Sequence, residues 1–161
     1  MKIVVECKPD YCLVKTLTGV SKKHIVHAGN DVEVIKTLLK IKNAIGLMDE
    51  DPGSSKPKDF RKFSLNINFY EYSFSIYKPN NPKNKNLLII LKPRLEEWFL
   101  KISKKSKLRL KDYKLPEDPD RLHKIINANL KKFEKALRKL LELKSKELLK
   151  IKEILGGNYG G

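Results

Sequence analysis

The 161-residue chain is poor in cysteine, in long apolar runs and in acids, and each shortage excludes something. Its two cysteines, Cys7 and Cys12, have no second pair to complete a zinc site. The three histidines, His24, His27 and His123, are not at metal-finger spacing, and a disulfide framework is not indicated. Two partly buried thiols in a reducing cytoplasm are the expectation. The longest uncharged apolar run, Leu87 to Leu91, falls far short of the roughly 20 residues of a membrane-spanning helix. Glu6 interrupts the segment where a signal peptide would continue its apolar stretch, so no secretion is expected. There is no internal repeat. With 19 acids against 35 basic residues, the net charge is +16.

Such a charge predicts a polyanionic partner, nucleic acid first. It is uneven: residues 1–100 carry 17 basic and 11 acidic residues (+6), and residues 101–161 carry 18 and 8 (+10). The hydrophobic fraction of 40% is enough for a core, and the length suits one domain.

Short apolar runs alternate with helical patterns in the first half. Residues 2–6, 24–28 and 44–48 read as strands. Helices are expected from Pro9 or Asp10 to about Leu17, and from Val32 to about Lys42 with Asp31 as N-cap. This alternation predicts an α/β fold with a parallel sheet and crossover helices. Phe63, Leu65, Ile67 and Phe69 alternate with polar residues, and the phase then flips to Tyr72, Phe74 and Ile76. A tight hairpin or a bulge separates two strands there. After the polar loop 78–85, Leu87–Leu91 is a buried strand, and a helix begins at Pro93 in its first turn.

Residues 1–115 are read as the α/β domain. Residues 116–161 are a basic C-terminal helical extension and tail, either packed into the same unit or appended. From Arg121 to Leu155 the pattern is helical throughout, and one helix of that length would reach about 50 Å. It either folds over the sheet, breaks near Lys144 or pairs with a partner helix. The stripe Leu130, Leu137, Leu141, Leu148 serves either packing or a homodimer seam. The tail from Gly156 is expected to be flexible.

The scarce acids gather at predicted strand ends. Glu6 ends the first strand, and Asp49 and Asp51 end the third. Carboxyl ends of strands line the ligand crevice of an open α/β sheet. On a strand continuing past the sheet, Asp49 and Asp51 would share a face. Asp10 lies one helical turn after Glu6. Clustered carboxylates repel unless a cation neutralises them, and hard oxygen ligands suit Mg²⁺ or Mn²⁺. A solvated Asp-x-Asp turn before Pro52-Gly53 is the plainer alternative.

Val4-Val5-Glu6-Cys7-Lys8-Pro9-Asp10 resembles the first motif of the Toprim family, and Ile45-Gly46-Leu47-Met48-Asp49-Glu50-Asp51 resembles its second. His27-Ala28-Gly29-Asn30 sits where that family often carries a Gly-containing turn. Toprim is the metal-binding domain of topoisomerases, bacterial primases, overcoming-lysogenisation-defect nucleases and small RNA-maturation nucleases. The segment Leu88 to Trp98, with Arg94-Leu95-Glu96 before an aromatic, is similar to the nuclease branch. Cys7 stands where the family usually has glycine, and residues 56–86 match no family pattern.

The resemblance covers about residues 1–100. It implies a Toprim/Rossmann-like, mostly parallel sheet flanked by helices. It also implies a Mg²⁺- or Mn²⁺-dependent nuclease or related phosphoryl-transfer protein. Asp49 and Asp51 would hold one ion. Glu6, with Asp10 and Glu96, would hold a second or act as general acid/base. Lys92 or Arg94 would stabilise the transition state; otherwise they are solvated or helix-start cations. Lys104, Lys105, Lys107, Arg109, Lys131 and Lys132 would bind backbone phosphates of DNA or RNA. Tyr70, Tyr72, Tyr77 and Trp98 serve either base stacking or sheet packing. The alternative is a non-catalytic protein that binds nucleic acid or a partner on the same scaffold.

Overall fold

Each apolar run of the first 91 residues becomes a strand of one sheet. The structure is a computed structural model that describes residues 1–157. The strands are β1 (Lys2–Val5), β2 (Ile25–His27), β3 (Ala44–Asp49), β4 (Phe63–Phe69), β5 (Phe74–Pro79) and β6 (Leu87–Leu91). They form a six-stranded sheet in the order β2-β1-β3-β6-β5-β4. β2, β1, β3 and β6 run parallel, and β5 and β4 continue antiparallel. The helices are α1 (Lys8–Thr18), α2 (Asp31–Lys40), α3 (Leu95–Lys105), α4 (Pro119–Ala128), α5 (Leu130–Glu142) and α6 (Lys146–Leu155). The architecture is α/β and Rossmann-like, with a mostly parallel sheet between helices.

β3 and β6 are central strands, and continuous apolar runs suit burial on both faces. Ile3, Val5, Ile45, Leu47, Ile76 and Ile89 face α1 and the helices from α3 onward, in a core with Trp98, Phe99, Phe133 and Leu137. Val4, Met48, Leu88 and Ile90 face α2 through Val34, Ile35 and Leu38. Gly46 lets α2 approach this closely: a Cβ there would lie 2.5 Å from Leu38 Cδ1 and 3.2 Å from both Leu88 Cδ1 and Val34 Cγ1. Buried Asn86 fastens the same corner. Its Nδ2 donates to the carbonyls of Leu38 and Ile41, both at 2.7 Å, and its Oδ1 accepts from the Ala44 N–H at 2.8 Å.

Three local expectations are corrected. Asn30, not Asp31, caps α2, accepting from the Glu33 N–H at 2.9 Å. Pro93 precedes α3 instead of occupying its first turn, because Arg94 takes the extended N-cap position. The stretch 121–155 is three helices: the break near Lys144 is one of the expected alternatives, and the break at Asn129 is not. Asn129 is extended (φ −147°, ψ 87°) and ends α4. Lys144 is left-handed (φ 59°), and the Ser145 hydroxyl then caps α6 by accepting from the Leu148 N–H at 3.4 Å. Folding back this way turns the leucine stripe onto the chain's own core. Leu137 and Leu148 are buried there, with Leu130 and Leu141 half-buried beside them.

Between β4 and β5 the expected tight turn occurs, and a separate bulge lies within β4. A register shift lies between Leu65 and Ile67, and a tight 3-10 turn at Tyr70–Tyr72 ends in left-handed Ser73. Among the described residues, no helix is long and apolar enough to cross a membrane. The tail expected to be flexible lies, from residue 158 onward, outside the described residues.

Candidate functional site

Parallel pairing of β1 with β3 sets Val5 beside Leu47, so both chains leave the sheet at the same edge. Glu6 and Asp49 thereby become neighbours, and Glu6 Oε2 lies 3.4 Å from the Asp49 amide nitrogen that donates to it. β6 flanks β3 on the other side, with Leu91 opposite Asp49. The chain then turns into α3, whose Leu95 N–H donates to Asp49 Oδ1 at 3.0 Å. Free amides of a helix first turn suit an anion, and the helix dipole adds to this.

Two more acids come from helix starts. Asp10, in the first turn of α1, is wholly buried; neither carboxylate oxygen has a partner at full hydrogen-bond geometry, and the Cys7 amide and thiol only partly stabilise its charge. Glu96, in the first turn of α3, is 5% exposed, and its Oε1 is 2.7 Å from His123 Nδ1 of α4.

These groups act on one another electrically. Burial, then the charges of Glu6 and Glu96, pushes the Asp10 carboxyl up to about 7, with Cys7 offsetting part of the effect. Burial, then Asp10, Glu6 and Glu96, pushes Asp49 up to about 9, against the Leu95 amide. Burial also raises Glu6, with Asp31, Asp51 and Glu96 adding to it and the Asp49 amide opposing it. A buried carboxylate without a partner is costly, and protonation relieves that cost. Among the described residues, no three Asp, Glu, His or Cys side chains already stand at the spacing of a metal-ion shell.

Glu6, Asp10, Asp49 and Glu96 are thus brought together, and Asp51 is not part of the buried group. β3 ends at Asp49, and Asp51 sits in a left-handed turn (φ 45°). Its carboxylate accepts the Ser54 hydroxyl at 2.8 Å and is solvent-exposed, so the shared face expected for Asp49 and Asp51 does not form. Asp51 reaches the cluster only through its charge on Glu6.

Lys92 lies between Asn68, at 3.3 Å, and Glu50, at 4.0 Å. By strand alternation it points to the α2 face, opposite to Asp49. Arg94 is held by the Glu97 carboxylate and lies 3.7 Å from Asp120. Cys7 is the N-cap residue of α1, and burial, then Asp10, pushes its thiol well above the usual range. Burial pushes Cys12 up to about 11.

The expected phosphate contacts are scattered. Lys104, Lys105 and Lys107 lie along the end of α3 and the following turn, Arg109 beyond them, and Lys131 and Lys132 on α5. All are exposed except half-buried Lys132. Lys105 is engaged, at 2.8 Å from the Glu71 carbonyl and 3.1 Å from Glu147. Trp98 is fully buried, which makes it sheet packing.

His123 was not anticipated at the site. It is 27 positions from Glu96 in a segment read as an extension, and no spacing in the chain links the two. The chain matches no family model, no curated protein and no solved structure with which it was compared.

Proposed function

We propose that this protein is a divalent-metal-dependent phosphodiesterase acting on nucleic acid, built on a Toprim-like scaffold. The observation that carries the reading is Asp10, wholly buried with two unpartnered oxygens beside Glu6 and Asp49 at one sheet edge. A hard divalent cation, Mg²⁺ or Mn²⁺, fits a donor set made of carboxylate oxygens. Glu6 and Asp49 would hold it, with Asp10 and Glu96 completing the charge. Bound there, it would polarise a phosphodiester and acidify a water.

The remaining work falls to the chain. The Leu95 amide fixes Asp49, and His123 fixes Glu96. Arg94, two residues before Glu96, would meet the phosphate by exchanging its Glu97 partner for it. The excess of 35 basic over 19 acidic residues draws the polyanion in without reading sequence.

The test is incubation with single- and double-stranded DNA and RNA, with Mg²⁺ or Mn²⁺ and with EDTA. Cleavage that requires the metal and is lost in Asp49→Asn supports the proposal. Cleavage that survives both EDTA and Asp49→Asn overturns it. A second reading, a non-catalytic nucleic-acid binder on the same scaffold, draws on the carboxylates standing apart from a metal-ion shell. It predicts salt-sensitive binding with no cleavage under any of these conditions.

A further inference from the structure

Tyr70 is 82% exposed, against 53% for Leu65, the next most exposed large apolar side chain among the described residues. Its place in the fold gives that exposure meaning. It opens the turn between β4 and β5. Phe74, the first residue after that turn, pairs with Leu91, and Leu91 pairs with Asp49. The turn therefore lies at the same sheet edge as the carboxylates: its Phe74 end is two strands from Asp49, about 10 Å at ordinary strand spacing, and its Tyr70 end, following Phe69 on β4, is three strands away, about 14 Å.

The turn is held firmly from behind. Phe69, Tyr72 and Phe74 stack among themselves at centroid distances of 5.0 to 6.3 Å. Trp98 Nε1 donates to the Tyr72 carbonyl at 2.8 Å, Lys105 to the Glu71 carbonyl at 2.8 Å, and Lys101 to the Ser73 hydroxyl. These contacts occupy the other aromatic rings of the turn and leave Tyr70 in solvent on a fixed base. Beside it is a crevice of about 400 Å³ lined by Glu71, Tyr72, Lys105, Lys144 and Lys146, among others. Lys144 and Lys146 are exposed, and Glu147 in the crevice wall is already paired with Lys105.

An exposed ring next to unspent cations matches the chemistry of an unpaired polynucleotide strand, whose bases stack and whose phosphates need counter-charge. In a duplex the bases are already stacked on one another and offer no free face. We infer that the Tyr70 turn and the lysine-lined crevice beside it form a docking site for single-stranded nucleic acid, leading the strand along the sheet edge toward Glu6 and Asp49. This inference rests on the nucleic-acid reading above and adds to it the strandedness of the substrate.

The experiment measures binding by the full chain in EDTA, so that cleavage plays no part. The probes are single-stranded and duplex oligonucleotides, in DNA and RNA arms, each carrying 2-aminopurine. Wild type should bind single strands more tightly than duplex in at least one arm and should quench the fluorescent base. Tyr70→Ala should weaken single-strand binding about 5- to 150-fold and abolish the quench, while Tyr70→Trp keeps both. The Lys144→Ala/Lys146→Ala pair should lower the slope of log affinity against log salt by about 1.4. Unchanged binding and quench in Tyr70→Ala, or a preference for duplex, overturns the inference and leaves the proposed function standing. Failure of wild type to bind any of the probes overturns the inference, and the metal-dependent cleavage assay decides the proposed function separately.

Discussion

Asp10→Asn removes the charge at the most deeply placed acid of the cluster while keeping its shape. The Asp10 carboxyl rises from 3.8 to about 7 through burial and then the charges of Glu6 and Glu96. The folded chain therefore keeps this proton to higher pH than the unfolded chain does. Over the window from about pH 4 to 7 the native state binds more protons, so metal-free stability falls as pH rises. At about 1.4 kcal/mol per pH unit, a shift of this size costs the metal-free fold up to about 4 kcal/mol at pH 7.5. Sharing of protons with Glu6 and Asp49 lowers this toward about 2 kcal/mol. Asp10→Asn should therefore melt roughly 4 to 16 °C above wild type in EDTA at pH 7.5. At pH 4 the two should melt together. The assay is thermal denaturation by circular dichroism at pH 4, 5.5 and 7.5. Adding Mn²⁺ at 100 times its dissociation constant should stabilise wild type by about 3 kcal/mol, and the variant less. A variant that melts lower than wild type at pH 7.5 in EDTA, or by the same margin at every pH, refutes the account of Asp10 as an uncompensated buried charge.

Three further outcomes follow from particular contacts. His123→Ala leaves buried Glu96 without the ring nitrogen now at 2.7 Å, and should weaken Mn²⁺ binding by about 10- to 100-fold in calorimetric titration and cost the metal-free fold about 1–3 kcal/mol. Gly46→Ala forces a methyl against Leu38 at 2.5 Å, and should cost about 1–3 kcal/mol in urea unfolding. Phe133→Ala empties a buried position on α5 that packs edge-on to Phe99 at 5.0 Å, and should cost about 3–5 kcal/mol in one unfolding transition. Two separated transitions would instead make residues 116–157 an independent appendage.

What was legible in the sequence is what strand period and chain order control. β1, β3 and β6 announce themselves as short apolar runs because they are buried on both faces, and Glu6 and Asp49 follow as the residues where those runs stop. Asp10 was reachable through the helical turn that separates it from Glu6. Asp51 was misplaced because a period-two argument assumes the strand goes on, whereas the chain takes a left-handed turn there. The break at Asn129 escaped notice because it substitutes one extended residue into a leucine pattern that continues on both sides. His123 depends on how α4 packs against α3, which no local period records. Tyr70 could be recognised as aromatic but not as exposed, because alternation in a strand does not say what its turn leaves uncovered.

The most direct measurement is a crystal of the full chain grown with Mn²⁺, with data collected to record the anomalous signal of manganese. The account predicts an anomalous peak at the sheet edge, bound by carboxylate oxygens of Glu6 and Asp49, with Asp10 or Glu96 in the same shell or hydrogen-bonded to it. A well-diffracting crystal at saturating Mn²⁺ with no peak there, and with the Asp10 oxygens as unpartnered as before, would contradict it.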